Sequence, residues 1–220
     1  MRKYLNRKNI SQFFYNLIPI FGVIYWGWQP IMIIMLYVAE TVLIGLLHVV
    51  YMLALYFINH KNPEAVNLKR QNEGIKGGCL IPFFTFHFGF FVVIQMVVFF
   101  GFNSGQASPL ELVKTLITGT YKYALLTLFV IKITDMITEF LWDPAVHLKL
   151  PDDVFFQPYG RIFVQQFMVI LGGWFVLIRD KQFMGYLIIL VIAKTFFDIY
   201  FTTFNRKMLL DLFRKNNRRE

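Results

Sequence analysis

The chain has 220 residues, of which 57% are hydrophobic and only 16% are charged. This apolar fraction exceeds the range usual for soluble domains and predicts a membrane protein. The net charge of +9 is explained by the uneven placement of Lys and Arg along such a protein, so nucleic acid binding is not expected. The single cysteine excludes an internal disulfide and a cysteine-rich metal cluster.

Apolar stretches recur along the chain, and each approaches the roughly 20 residues that a helix needs to cross the hydrocarbon. The boundary between the first two stretches falls in "WGWQP", where Pro30 favours a new helix over one bent segment. The predicted fold is all-α, a polytopic transmembrane helical bundle that forms a single membrane domain over 1–220. In chain order, we predict spans at 11–27, 30–59, 78–102, 121–142, 159–178 and 182–204.

The connections carry weaker signals. The loop after the second span is polar, with mixed charge, and is expected to be partly ordered at best. Ser108, Pro109 and Glu111 fit an N-cap, a first-turn proline and a capping-box glutamate, which predicts a helix before the fourth span. Residues 205–220 form a basic cytoplasmic tail, either an interfacial helix on anionic lipid or an extension of the sixth helix.

The basic residues outside the spans indicate the orientation. Fifteen lie on one side of the predicted membrane and four on the other. Because short loops rich in Lys and Arg stay in the cytoplasm, both termini are expected there, in a multi-pass protein of the bacterial inner membrane. The basic N-terminus and tail are expected to contact anionic lipid of the bilayer. The sequence does not predict an oligomeric state or a protein partner.

Ionisable and amide side chains interrupt five of the predicted spans. A charged group near mid-bilayer costs about 3 kcal/mol even on a lenient scale, so each must face the bundle interior and find a partner. Counting along each helix places them near mid-membrane or in its cytoplasmic half. We therefore predict one shared buried polar site that opens, if anywhere, toward the cytoplasm. Its members are Glu40, His48, His87, Gln95, Lys132, Asp135, Glu139, Arg161, Gln165, Gln166, Lys194 and Asp198.

The charges of this site nearly cancel, with three bases against four acids. Near-neutrality is typical of a self-satisfied structural network, because unpaired buried charge is strongly penalised. So many ionisable groups nevertheless exceed what helix packing requires, which favours a functional site. Candidate catalytic residues are Glu40, His87 and Asp198, although the sequence predicts no particular reaction. Candidate ligand-binding residues are Arg161, Lys194, Tyr159, Gln165, Gln166 and Asp135.

The sequence does not identify a cofactor. His87, His48 and Glu40 are candidate metal ligands, but they come from separate spans, so no short ligand spacing supports a metal. Haem between His48 and His87 is an equally unsupported alternative. The sequence assigns no metal.

Five stretches together resemble an uncharacterised family of bacterial and archaeal integral membrane proteins, of unknown function. They are "NLIPIFGVIYWGW", "LYVAETVLIG", "FFTFHFGFF", "QPYGRIFVQQFMVILGGW" and "VIAKTFFDIY". The chain departs from the family pattern at Gln95 and Gln166, where many members carry histidines, and this departure argues against a histidine-rich metal site. The resemblance implies functional importance for Glu40, Gly45, His87, Gly89, Pro158, Tyr159, Arg161, Gly172, Lys194 and Asp198.

Three functions remain open. The site handles a small polar or anionic solute or protons, with Arg161 and Lys194 pairing with the ligand. Alternatively, it is an intramembrane enzyme site for a lipid or lipid-linked head group, with His87 and Glu40 as general base and acid. In the third alternative, the protein is a structural subunit whose polar network only maintains packing.

Overall fold

The computed structural model describes residues 2–70, 77–102, 108–142, 146–178 and 188–200, and these residues form no β-strand. The predicted all-α class is confirmed. The helices are α1 (Arg2–Trp26), α2 (Pro30–Asn59), α3 (Pro63–Arg70), α4 (Gly77–Phe102), α5 (Pro109–Thr118), α6 (Tyr121–Trp142), α7 (Pro151–Val154), α8 (Tyr159–Ile178) and α9 (residues 188–200), with a 3-10 turn at Val146–Leu148.

Six long helices occupy the segments that the sequence assigned to spans. The bounds of α2, α6 and α8 coincide with the predicted segments, and α4 begins one residue earlier than predicted. Only residues 188–200 of the sixth segment are described, and the tail at 205–220 lies outside the described residues. Helix formation thus follows the apolar pattern. That all six helices cross a membrane stays a prediction.

The break between α1 and α2 falls at the predicted position. Gly27 has a φ of 61°, a conformation that a residue with a side chain rarely adopts, and Pro30 starts α2. The Trp28 indole folds back so closely on α1 that a Cβ at Gly22 would lie 2.1 Å from its ring. Two glycines therefore allow the chain to reverse in three residues.

The predicted start of α5 is also confirmed. The Glu111 amide donates to the Ser108 hydroxyl at 3.3 Å, and the Ser108 amide donates to the Glu111 carboxylate at 3.0 Å. Hydrogen bonds from the backbone amide and the side chain of Ser108 hold the pKa of the exposed Glu111 carboxyl below its ordinary value, because they stabilise the charged form.

The sequence did not predict the short helices α3 and α7. Helix α3 begins at Pro63, directly after Asn62, whose side-chain oxygen accepts a hydrogen bond from the Glu64 amide. An asparagine followed by proline and glutamate is a recognisable helix start, which here lies within a polar loop. Helix α7, at Pro151–Val154, is a single turn, and it is too short to produce a helical periodicity of apolar residues in the sequence.

Contacts between connecting segments define two ends of the bundle. At the first, which we call the tryptophan end, the Trp28 indole N–H donates to the Thr120 hydroxyl at 2.9 Å. The backbone N–H of Gln29 donates to the Tyr121 hydroxyl at 3.1 Å. At the opposite end, the asparagine end, the Asn59 amide donates to the carbonyls of Val146 and Lys149. Helices α2 and α6 therefore run in the same direction. Helix α4 starts beside Tyr56 and runs the opposite way.

The core consists of two apolar clusters with a polar layer between them. The cluster at the tryptophan end includes residues 31–38 of α2 together with Phe99, Tyr121 and Val169. The cluster at the asparagine end includes Met52, Phe84 and further residues of α4, α7 and α8. Glu40, Lys132 and Gln165 lie between these clusters along their helices.

Two of the described helices, Pro30–Asn59 and Gly78–Gly101, are long and apolar enough to cross a membrane. Only 28% and 22% of their apolar windows are buried inside the protein, whereas the core helix of a soluble protein would be mostly buried. Large apolar side chains such as Phe57, Phe86 and Val97 are exposed on them. An exposed apolar surface of this kind indicates association with a membrane.

We expect Gly45→Ala to lower the free energy of unfolding by about 1–3 kcal/mol, because α2 and α4 touch at this residue. A Cβ at Gly45 would lie 1.9 Å from the Phe88 ring. Gly89→Ala is the matched control, since nothing lies within 4 Å of a Cβ there. Thermal unfolding in detergent, followed by circular dichroism, measures both. Equal melting temperatures for the two variants would contradict the close α2–α4 contact.

Candidate functional site

Four buried charged side chains form a chain of ion pairs that we call the polar ladder: Lys132, Glu40, Lys194 and Asp198. The Lys132 ammonium lies 2.9 Å from Oε1 of Glu40, and the Lys194 ammonium lies 2.9 Å from Oε2 of the same carboxylate. Lys194 also lies 2.8 Å from Oδ2 of Asp198. Positive and negative groups therefore alternate along the ladder.

Two neutral amides complete the ladder. Asn16 donates from its Nδ2 to Asp198 at 3.1 Å and accepts at its Oδ1 from Lys194 at 3.1 Å. Gln165 donates from its Nε2 to Oε2 of Glu40 at 3.1 Å. The amides satisfy hydrogen-bonding positions that the ion pairs leave open, as buried charge requires.

Tyr37 joins this arrangement through both its backbone and its ring. Its carbonyl accepts a second hydrogen bond from the Gln165 amide at 2.9 Å. The Lys194 ammonium lies 5.2 Å from the centre of the Tyr37 ring, within the range of a cation–π contact. The tyrosine therefore covers the lysine on the side facing the apolar cluster of the tryptophan end.

The ladder assembles because five helices present a polar group at one level. Asn16 comes from α1, Glu40 from α2, Lys132 from α6, Gln165 from α8, and Lys194 with Asp198 from α9, one helical turn apart. No charged member is more than 7% exposed. Two ammonium groups against two carboxylates leave no net charge, which avoids the several kcal/mol that each unpaired buried ion costs.

A cavity of about 120 Å³ adjoins the ladder on the side of the asparagine end. It lies between α2, α6 and the start of α8. Lys132 belongs to both structures, since its ammonium pairs with Glu40 while its side chain lines the cavity. The lining comprises Ile44, Leu47, His48, Tyr51, Lys132, Asp135, Met136, Glu139, Gln157 and Arg161.

The lining gives the cavity a mixed electrostatic character. Two bases and two acids border it, together with a histidine, a tyrosine and a glutamine amide. The Nε2 atom of His48 is buried and has no hydrogen-bond partner in the part of the chain that the structure describes. Buried polar atoms are nearly always paired with protein or water. The cavity is therefore equipped to hold water or a small polar solute.

The structure distributes the candidate residues over three places. Glu40, Gln165, Lys194 and Asp198 meet in the polar ladder. His48, Asp135 and Arg161, with Glu139, line the cavity. The remaining candidates His87, Tyr159 and Gln166 lie elsewhere, on the contact between α4 and α8.

His87 illustrates this separation. Its Nδ1 lies 2.9 Å from the Tyr159 hydroxyl, and its ring stacks on Phe83 and meets Phe91 edge-on. Gln166 donates from its Nε2 to the Phe91 carbonyl at 3.0 Å. These contacts satisfy polar groups on neighbouring helices, and His87 does not border the cavity.

The candidate metal ligands do not meet either. Among the described residues, no group of three or more His, Cys, Asp and Glu side chains is placed to hold a metal ion. Each oxygen of Glu40 faces an ammonium group, and a cation there would be repelled. No observation supports haem between His48 and His87.

Sequence reasoning missed Asn16, Tyr37, Tyr51 and Gln157. Asn16 had a usable signal, since it is the only amide in the apolar run "FFYNLIPIF". The tyrosines gave no signal, because tyrosine is common in membrane helices, and Gln157 lies in a connection between helices.

Gln95 stays apart from these groups. It is completely buried, and neither its amide nitrogen nor its oxygen has a hydrogen-bond partner within the described ranges. It shares the buried stripe of α4 with Phe88 and Phe99.

The fold and the site together define an all-α protein with membrane-compatible helices and a buried charge network. The chain belongs to a family of unknown function, DUF6498, whose model matches residues 1–218. Membership of an uncharacterised family, expected from the sequence, is confirmed. No curated protein and no solved structure matches the chain.

We expect Lys194→Met to lower the free energy of unfolding by about 3–5 kcal/mol, since it leaves two buried carboxylates with one ammonium. Adding Asp198→Asn restores neutrality and should recover part of the loss. Lys122→Met is the control, because Lys122 is an exposed lysine on α6. Thermal unfolding in detergent measures all three variants. If the Lys194→Met variant were as stable as the parent, the ion pairs of Lys194 would add nothing to stability.

Proposed function

We propose that this protein is a six-span integral protein of the bacterial inner membrane, with both termini in the cytoplasm. Its cavity would handle a small polar or anionic solute, or protons. In this proposal, Arg161 and Lys132 face the solute. Lys132 takes the role that the sequence suggested for Lys194, because Lys194 pairs with Glu40 and Asp198 and does not line the cavity. The polar ladder behind them supplies groups that exchange protons.

The arrangement of helix ends supports the six spans. The turn between α1 and α2 and the start of α6 share the tryptophan end, whereas the end of α2 and the segment after α6 share the asparagine end. Each long helix therefore fits one crossing, in alternating directions. Lys61 and Lys149, at the asparagine end, fit a cytoplasmic location for that end.

One observation carries the functional proposal: Lys132 is shared between the ladder and the cavity. A network that served packing alone would be closed on every side by protein. Here the side chain of one of its lysines lines a space of about 120 Å³ that other charged side chains also line. Intramembrane ionisable groups beside such a space are typical of ion and solute pathways.

The alternative of a lipid head-group enzyme gains less support. It requires His87 and Glu40 to act together as base and acid. His87 instead bonds to Tyr159 and does not line the cavity, while both oxygens of Glu40 face lysines. The purely structural alternative accounts for the ladder but not for the charged cavity beside it.

The topology predicts opposite labelling of two positions. In a Cys79→Ser background, which removes the only native cysteine, Lys61→Cys and Lys122→Cys place one thiol at each end. We expect a membrane-impermeant maleimide to label the Lys122→Cys variant from outside intact cells. The Lys61→Cys variant should react only in inverted vesicles, because its end faces the cytoplasm. Labelling of both positions from the same side would contradict an odd number of crossings between them.

The solute proposal predicts stabilisation by a ligand of suitable charge. Acetate, sulfate and glycine serve as probes of an anionic or zwitterionic solute. We expect at least one to raise the melting temperature of the purified protein, since a ligand at 100 times its Kd stabilises by about 2.7 kcal/mol. Arg161→Gln should abolish the shift.

The control is Lys122→Met, which keeps the cavity intact and should respond as the parent does. The same melting temperature with and without all three probes would count against a site for small solutes. A shift that persists in Arg161→Gln would place binding outside the cavity.

A further inference from the structure

The two carboxylate oxygens of Glu40 have different ion-pair and hydrogen-bond partners. Oε2 receives Lys194 at 2.9 Å and a hydrogen bond from Gln165 at 3.1 Å. Oε1 faces the Lys132 ammonium at 2.9 Å but accepts no well-aligned hydrogen bond in the described part of the chain. Its compensation is therefore the Coulomb attraction of one lysine. Whatever moves this lysine changes the free energy of the carboxylate.

Among the described ladder residues, Lys132 is the one that lines the cavity. It lines that cavity together with Arg161. A small anion there would attract both cations, against the repulsion of Asp135 and Glu139, which also line the cavity. A lysine ammonium on its flexible four-carbon stem can turn toward a new partner. An anion in the cavity thus competes with Glu40 for the same ammonium.

The charge balance of the ladder determines the consequence of that competition. If Lys132 turns toward the cavity, the remaining ladder contains two carboxylates, Glu40 and Asp198, around one ammonium, Lys194. An uncompensated negative charge in a buried site strongly favours binding of a proton. Asp198 keeps its contacts with Lys194 and Asn16, whereas Oε1 of Glu40 loses its only described ion-pair partner.

The polar groups around Glu40 come from α1, α6, α8, α9 and its own helix. The neutral partners Asn16 and Gln165 cannot replace a lost positive charge. Arg161, from α8, adds to the electrostatic field at Lys132 and Asp198. The groups that face Glu40 are Lys132 of α6, Lys194 and Asp198 of α9, Gln165 of α8, Tyr15 of α1 and Tyr37 of its own helix.

We propose that Lys132 couples anion binding to protonation: a small anion in the cavity draws the Lys132 ammonium away from Glu40, and Oε1 of Glu40 then takes up a proton from the bulk. Substrate class and coupling are linked: a singly charged anion enters with the proton as an electroneutral pair, whereas a dianion such as sulfate adds one net negative charge even with the proton on Glu40. The coupling is reciprocal, so protonation of Glu40 also strengthens anion binding. This inference rests on the proposed function of the cavity.

Sulfate is the probe for the test, because it stays fully ionised near neutral pH and has no carboxyl band of its own. Infrared difference spectra of the purified protein, with and without sulfate, report the carbonyl stretch of any newly protonated carboxylic acid. A pH-sensitive dye in weakly buffered solution counts the protons that leave the bulk. We expect about one proton per bound sulfate, as linkage requires when a group changes protonation on binding.

Two variants assign the proton. Glu40→Gln should remove the new carbonyl band and the proton uptake. Lys132→Met should show the band without sulfate, because Glu40 has then lost its cation permanently. Lys122→Met is the matched control and should behave as the parent. If Lys132→Met does not fold, Lys132→Arg tests the coupling instead, because it retains the positive charge. The carbonyl band of Lys132→Arg should again depend on sulfate.

The outcomes separate this inference from the proposed function. If sulfate raises the melting temperature but the spectra show no protonated carboxyl and the dye shows no uptake, the coupling is wrong while the cavity still binds an anion. If a band appears but persists in Glu40→Gln, the proton resides elsewhere and the inference fails. If sulfate neither binds nor changes the spectra, the inference fails, and binding of acetate or glycine then decides the fate of the cavity proposal.

Discussion

The structure depends on how the negative charge of one carboxylate, that of Glu40, is balanced by positive charge in an apolar interior. Glu40 lies in the first half of α2, and it is stable there only because lysines from α6 and α9 reach its two oxygens. This requirement constrains the rotation of each helix about its axis and its position along that axis. A shift of one residue in α6 or α9 would point the lysine away from Glu40. The polar ladder therefore specifies the helix arrangement more strictly than apolar packing does.

The layered core is a result of the same constraint. Apolar clusters occupy both ends of the bundle, and the polar groups concentrate in the layer between them. At the tryptophan end the ladder is covered by Tyr37 and the apolar residues of α2. Toward the asparagine end it meets a charged cavity through Lys132. The ladder is thus covered by protein on one side and adjoins a cavity on the other.

Not every polar side chain in an apolar helix belongs to this site. The pair of His87 and Tyr159 joins α4 to the start of α8 within a group of aromatic rings, and Gln166 bonds to a backbone carbonyl of α4. These groups hold two helices together, a use of polar residues in apolar helices that needs no ligand. The single chamber expected from the sequence is therefore a ladder and a cavity joined by Lys132, with a separate contact nearby.

The sequence by itself determined the helices and the kinds of residue that had to be paired. Apolar runs of sufficient length, the proline at 30 and the capping box at 108–111 are local signals, and local signals set helix bounds. The cost of burying charge likewise required partners for Glu40, Lys194 and Asp198. The spacing of Lys194 and Asp198, one helical turn apart, is a local signal for that pair. Only the tertiary structure decided their partners on other helices. Lys132 and Asn16 reach the site through the rotation and relative height of helices far apart in the chain, and these depend on the packing of all helices at once, which no local pattern encodes.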